Sequence, residues 1–180
     1  MPVPSSTSSL GQSSVLLAAD PAIPEHYTVA ALNAAGTQFL IEQTYDSGST
    51  WSGATTVAED ATKIHFLAWM SYSPEGVLGL MWRTRQPGPG PFFPYSVWAA
   101  ISMDGGATFS PPLKISTGDS PAAPSGGIYG TRLNAGDDYS GMTLDRHDAF
   151  ISWADWGPGE RSVFFSAIKH QAFTYPGRGR

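Results

Sequence analysis

One octapeptide occurs twice in this chain, and the two copies agree at every chemically demanding position. Thr44-Tyr45-Asp46-Ser47-Gly48-Ser49-Thr50-Trp51 returns 58 residues later as Ser102-Met103-Asp104-Gly105-Gly106-Ala107-Thr108-Phe109. Each copy opens on a hydroxyl residue (Thr44, Ser102) and continues with an aspartate (Asp46, Asp104). A glycine (Gly48, Gly106), a threonine (Thr50, Thr108) and a large aromatic (Trp51, Phe109) follow. A fixed internal period restricts the chain to folds in which one structural unit recurs. The residue types describe a stapled hairpin turn. The carboxylate is expected to accept from backbone N–H groups two or three residues on. The glycine supplies a positive φ, and the aromatic covers the turn from its apolar side. Asp46 and Asp104 therefore read as structural.

Composition agrees with a turn-rich all-β chain. Of 180 residues, 14% are charged, while Gly (20), Pro (15) and Trp (6) are plentiful. The net charge of −5, with scattered basic residues, gives no electrostatic support for a nucleic-acid or anionic-membrane partner. There is no cysteine, so disulfides and thiolate metal sites are excluded. His26, His65, His147 and His170 lie far apart with no ligand spacing, so neither a metal nor another cofactor is expected. No apolar run approaches the roughly 20 residues of a membrane helix. The apolar piece Val15–Ala19 is too short for a signal peptide.

Read in order, residues 1–25 form a poorly ordered, Ser-rich lead. Strands are expected at Tyr27–Leu32, Gln38–Thr44 and Ala54–Val57, making a partial unit over 26–60. A full unit over 61–117 has strands at His65–Met70, Val77–Arg85, Tyr95–Ser102 and Pro112–Ser116. Residues 117–137 are a long Gly/Pro/Ser-rich connection. The last unit, within 118–175, has strands at Asp138–Leu144, Ala149–Asp155 and Arg161–Lys169. Leu80 to Trp82 and Ile151 to Trp153 take the same place in their units. Trp69, Trp82, Trp98 and Trp153 fall on strands and are expected in the core, while Trp156 beside a Gly/Pro loop is expected to be exposed. An irregular β-sandwich is the alternative that such short strands permit.

The two octapeptides resemble the Asp box, or bacterial neuraminidase repeat, of sialidase-like β-propellers, S/T-x-D-x-G-x-T/S-W/F. The run Gly136-Asp137-Asp138-Tyr139-Ser140-Gly141, followed by Phe150–Asp155, also resembles the family's closing blade, G-D-Y-x-G and then W-x-D-x-R. It departs by an additional Asp before Tyr139 and by Gly157 where the arginine would stand. The resemblance implies a propeller portion of four-stranded antiparallel blades. Propellers close with roughly four to eight blades, so the partners expected are further blades of a longer chain or a second copy, and a glycan ligand. It also implies an extracellular or periplasmic location.

The activity implied is that of an exo-sialidase-like glycoside hydrolase. Such chemistry takes an arginine cluster for the sugar carboxylate, a tyrosine nucleophile in place of the two-carboxylate scheme and an aspartate acid/base. The catalytic candidates are Tyr139, Asp138 and Arg132, and the ligand-binding candidates are Tyr129, Trp156, Arg83 and Arg85. Against these stand plainer readings: Tyr139 packs between blades, Asp137 and Asp138 cap a turn, and Arg83 and Arg85 form a solvated strand end. The family's Arg-Ile-Pro segment is absent from this sequence. The alternative function is a non-catalytic Asp-box propeller that binds glycans or proteins.

Overall fold

The structure is a computed structural model, and it describes residues 15–87, 94–120, 140–155 and 162–173. Eleven strands form among these residues: β1 (Leu16–Ala19), β2 (Tyr27–Leu32), β3 (Gln38–Thr44), β4 (Thr55–Glu59), β5 (Ile64–Tyr72), β6 (Leu78–Arg85), β7 (Tyr95–Ser102), β8 (Leu113–Lys114), β9 (Ser140–Leu144), β10 (Asp148–Asp155) and β11 (Ser162–Lys169). They make three antiparallel meanders, ordered β1-β2-β3-β4, β5-β6-β7-β8 and β9-β10-β11. The first strands lie side by side, β1 against β5 and β5 against β9. Sheets stacked in this way about a common line of inner strands are blades of a β-propeller.

Two separate cores hold the three blades together. The seam between blades one and two packs Leu32, Phe39 and Ile41 against Leu78, Leu80 and Trp82. The seam between blades two and three packs Met81, Val97 and Ile101 against Met142, Leu144 and Ile151. Alternate residues of β6 and β7 thus enter opposite cores, so the middle blade is apolar on both faces. A sandwich would have one core between two sheets, and the sandwich alternative is therefore set aside. β11 shows the contrasting case, with partly buried and exposed residues in strict alternation.

Several sequence-based expectations need correction. The lead was expected to reach residue 25, but Leu16–Ala19 pairs with Tyr27–Ala30 as β1. The first blade therefore has four strands and is not partial. Residues 1–14 lie outside the described part. A four-residue strand ending before Pro21 and Pro24 is too short for period-two alternation to reveal. Trp69 was expected in the core and is 47% exposed. The register of β5 shifts between Phe66 and Trp69, and Leu67 adopts φ +45°. This bulge re-aims the strand, as an additional residue in a ladder does. The connection after residue 117 is held at its start, because Tyr95 and Ser120 exchange two backbone hydrogen bonds of 3.1 and 2.7 Å. β11 ends in a 3-10 turn, His170–Ala172, with Phe173 buried in the second core.

Candidate functional site

The two octapeptides form the same turn at the same corner of adjacent blades, between β3 and β4 and between β7 and β8. In the first, Asp46 Oδ1 accepts from the Thr50 N–H at 2.8 Å and Oδ2 accepts from the Thr50 hydroxyl at 2.7 Å. The Thr44 hydroxyl donates to Asp46 at 2.7 Å and accepts from the Gly48 N–H at 2.8 Å. In the second, Asp104 accepts from the Thr108 N–H at 2.9 Å and its hydroxyl at 2.6 Å, and Ser102 bridges Asp104 and the Gly106 N–H, both at 2.6 Å. The staple reaches four residues on, where two or three were expected. Positive φ falls at Ser47 and Gly48 and again at Gly105 and Gly106.

The repeat extends one residue beyond the octapeptide. Ser52 and Ser110 each accept through Oγ from a strand N–H, of Gln43 and Ile101, at 3.0 and 3.1 Å. Each returns its own N–H to the same residue's carbonyl. A serine after the aromatic in both copies was the available signal.

These contacts fix the carboxylates in their charged form. Hydrogen bonds from Thr50, with Thr44 in support, lower the Asp46 pKa to about 2. At Asp104 burial pushes upward, but the hydrogen bonds from Ser102 and Thr108 together outweigh it and leave the pKa below its ordinary value. Acceptors committed in this way are poor general bases, which agrees with a structural role.

A buried polar network ties the second turn to the first blade. Asp20 holds His26 Nδ1 at 2.9 Å, and Gln43 Nε2 lies 2.9 Å from His26 Nε2. Gln43 also donates to the Gly105 carbonyl at 2.5 Å, and the Tyr72 hydroxyl donates to the same carbonyl at 3.0 Å. Burial raises the Tyr72 pKa to about 12, so this tyrosine remains a neutral donor.

The opposite end of the blades carries the loops between β2 and β3 and between β6 and β7. There a cleft of about 420 Å³ opens between the first two blades. Its walls include Glu59, Asp60, Lys63, His65, Trp82, Arg85, Trp98, Lys114 and Asp119. Trp82 and Trp98 are direct cross-strand partners. Lys114 pairs with Asp119 at 2.8 Å, and Asp60 accepts from the Thr62 N–H and hydroxyl. A second depression of about 320 Å³, between blades two and three, is lined by Ser116 to Ser120, Trp153, Asp155 and Phe164.

Arg83 and Arg85 part company. Arg83 has no exposed surface, with its guanidinium 4.8 Å from the centre of the Tyr95 ring and donating to Ser140 Oγ at 2.8 Å. The reading of a solvated strand end is thereby corrected for Arg83. Arg85 is half-buried, donates to the Gln86 carbonyl and lines the cleft. Arg83 is thus held inside the second seam, while Arg85, at the end of β6, reaches the cleft. Tyr95, whose pKa burial raises, donates to the Ala154 carbonyl at 2.6 Å and so joins blades two and three.

Neither a family profile nor any curated protein matches this sequence. Among solved structures, the chain is similar to a Hadza microbial sialidase, with 18% identity and a TM-score of 0.48 over 92% of this chain and 30% of that one. It is also similar to an α-L-arabinanase of Penicillium chrysogenum complexed with arabinobiose. That match has 12% identity and a TM-score of 0.45 over 91% of this chain and 50% of the arabinanase. The chain thus spans 30% and 50% of the lengths of these two proteins.

The catalytic candidates Tyr139, Asp138 and Arg132, and the ligand-binding candidates Tyr129 and Trp156, lie outside the described residues. Among the described residues, no cluster of three or more histidine, aspartate or glutamate side chains could hold a metal, and no helix is long and apolar enough to cross a membrane. The cleft beside Trp82 and Trp98 was not foreseen. Its walls come from four separated segments, and the register of β6 against β7 brings the two indoles together.

Proposed function

We propose that this chain supplies three consecutive blades of a sialidase-like glycoside hydrolase, in which the two stapled turns are Asp boxes. The observation that carries this reading is the atom-by-atom repetition of the turn at matching corners of neighbouring blades. Such turns brace one end of the first two blades and leave the opposite end for substrate. In this reading Arg132, Asp138 and Tyr139 act on the substrate. Arg83, steadied by Tyr95, then supplies positive charge beside the start of β9. Further blades, from a longer chain or a second copy, complete the ring, and an extracellular or periplasmic setting suits a glycan substrate.

The test is turnover of a fluorogenic sialoside by this chain and by a polypeptide extended with its upstream reading frame. The chain alone is expected to be inactive, the extended protein active, and Tyr139→Phe to abolish that activity. Turnover that survives Tyr139→Phe would remove the proposed nucleophile. A second reading, a non-catalytic glycan-binding propeller, is favoured by the missing Arg-Ile-Pro segment and by the burial of Arg83 against Tyr95. Saturable glycan binding without turnover in the extended protein would select it.

A further inference from the structure

We propose that the cleft between the first and second blades binds a neutral, polyhydroxylated ligand of monosaccharide size. This site is separate from the seam that holds Arg83, and it does not depend on catalysis. Three observations carry it. First, the volume of about 420 Å³ falls within the range of roughly 300–1,000 Å³ usual for small-molecule sites.

Second, an aromatic platform is already in place. Trp98 is half-buried and its Nε1–H donates to Ser96 Oγ at 2.9 Å, which fixes the ring. Trp82, directly opposite on β6, is 1% exposed and backs the cleft. The fixed Trp98 indole offers an apolar face to the C–H side of a sugar without losing rotamer freedom on binding.

Third, two residues that line the cleft each carry a buried polar atom with no hydrogen-bond partner among the described residues: Trp82 Nε1 and His65 Nε2. The two rings stand edge to face, 6.0 Å between centroids. His65 Nδ1 lies 3.0 Å from Thr84 Oγ1. With the Nδ1 proton donated to that hydroxyl, Nε2 is left as an acceptor. The indole N–H is a donor alone. A hydroxyl group accepts from one and donates to the other, a pairing that a carboxylate or an ammonium cannot make. Burial lowers the His65 pKa and keeps the ring neutral for this role.

Charge in the walls is balanced. Once Lys114 and Asp119 are paired, the other charged lining residues are two acids, Glu59 and Asp60, and two bases, Lys63 and Arg85. No excess of either sign selects a charged ligand.

The experiment is a titration of the full chain with D-galactose, D-glucose and L-arabinose, with N-acetylneuraminate as the acidic comparison, followed through the indole N–H resonances. Expected are saturable shifts at Trp82 and Trp98 at millimolar sugar, with Trp51 and Trp153 unmoved. Trp98→Ala is expected to weaken binding about tenfold. Trp82→Phe keeps a ring in the core and removes the N–H, and is expected to weaken it several-fold, so the proposal stays testable if Trp98→Ala does not fold. Three results would overturn it: no saturable shift up to about 100 mM, equal shifts at Trp51, Trp82, Trp98 and Trp153, or a preference of about tenfold or more for N-acetylneuraminate. Failure of sialoside turnover by the extended protein leaves this site untouched, and loss of the site leaves that turnover untouched.

Discussion

Gln43, on the third strand of one blade, donates its side-chain amide to the backbone carbonyl of Gly105, inside the stapled turn of the next, at 2.5 Å. The turn is therefore both a lock on its own hairpin and an attachment point between blades. Gln43→Ala leaves the Tyr72 hydroxyl on Gly105 but strips the buried His26 Nε2 of its neighbour. A loss of about 1–3 kcal/mol is expected, the usual cost of leaving a buried group unpaired. Gly106→Ala should be at least as harmful, because a Cβ there would stand 2.6 Å from Gln43 Nε2 at φ +108°. Chemical denaturation of both variants checks this, and an unchanged midpoint for Gln43→Ala would contradict it.

Within the turn, the serine is expected to matter more than the aspartate. Ser102 is fully buried and satisfies the buried Gly106 N–H. Its replacement by alanine should cost about 1–3 kcal/mol. The Thr108 donors held by Asp104 are exposed, so water replaces the carboxylate and Asp104→Ala should cost about 1 kcal/mol or less. Thermal midpoints of the two variants, side by side, give the order.

Acid should loosen the fold in two steps. Burial holds the imidazoles of His65 and His170 below their ordinary 6.5. The unfolded chain takes up those protons first, so their contribution is complete above pH 6.5 and declines as the pH falls toward the folded values. Asp46 acts lower: its contribution is present above 3.8 and is lost as the pH falls through about 2. The unfolding midpoint should drop between about pH 7 and pH 5, and His65→Gln should shrink that drop. A midpoint flat across this range would argue against buried neutral histidines.

The second seam has its own pressure point at Gly79. A Cβ there would lie 2.4 Å from Met142 Cε and 2.9 Å from Leu144 Cδ1. Alanine is tolerable if Met142 swings aside, whereas valine forces β9 away from β6. Gly79→Val is expected to speed amide exchange in β9 and β10 while leaving β2 and β3 protected. Equal acceleration everywhere would mean that the blades do not separate along this seam.

Much of this architecture was written in local pattern. The octapeptide announced its turn because the staple is closed by residues within four positions of each other. Strands such as Gln38–Thr44 and Tyr95–Ser102 were legible to the residue because each runs directly into such a turn. β1 was missed because four residues carry too little periodicity, and Trp69 was misplaced because a bulge shifts the phase of β5 without a sequence mark. At the candidate site, Arg85 is a ligand-binding candidate that lines the cleft, whereas His65 and the paired indoles were not foreseen.

The amino-acid order alone settled the unit of construction, an antiparallel sheet locked at one corner, because that unit rests on contacts close in the chain. It also settled that two such units are equivalent, since the same side chains recur at a constant offset. Tertiary structure decided which faces meet. β6 and β7 send alternate residues into two different cores, so Trp82 faces blade one while Arg83 faces blade three. A one-residue difference in the chain thus becomes the full thickness of a sheet in space, and neighbours on a strand come to serve separate sites.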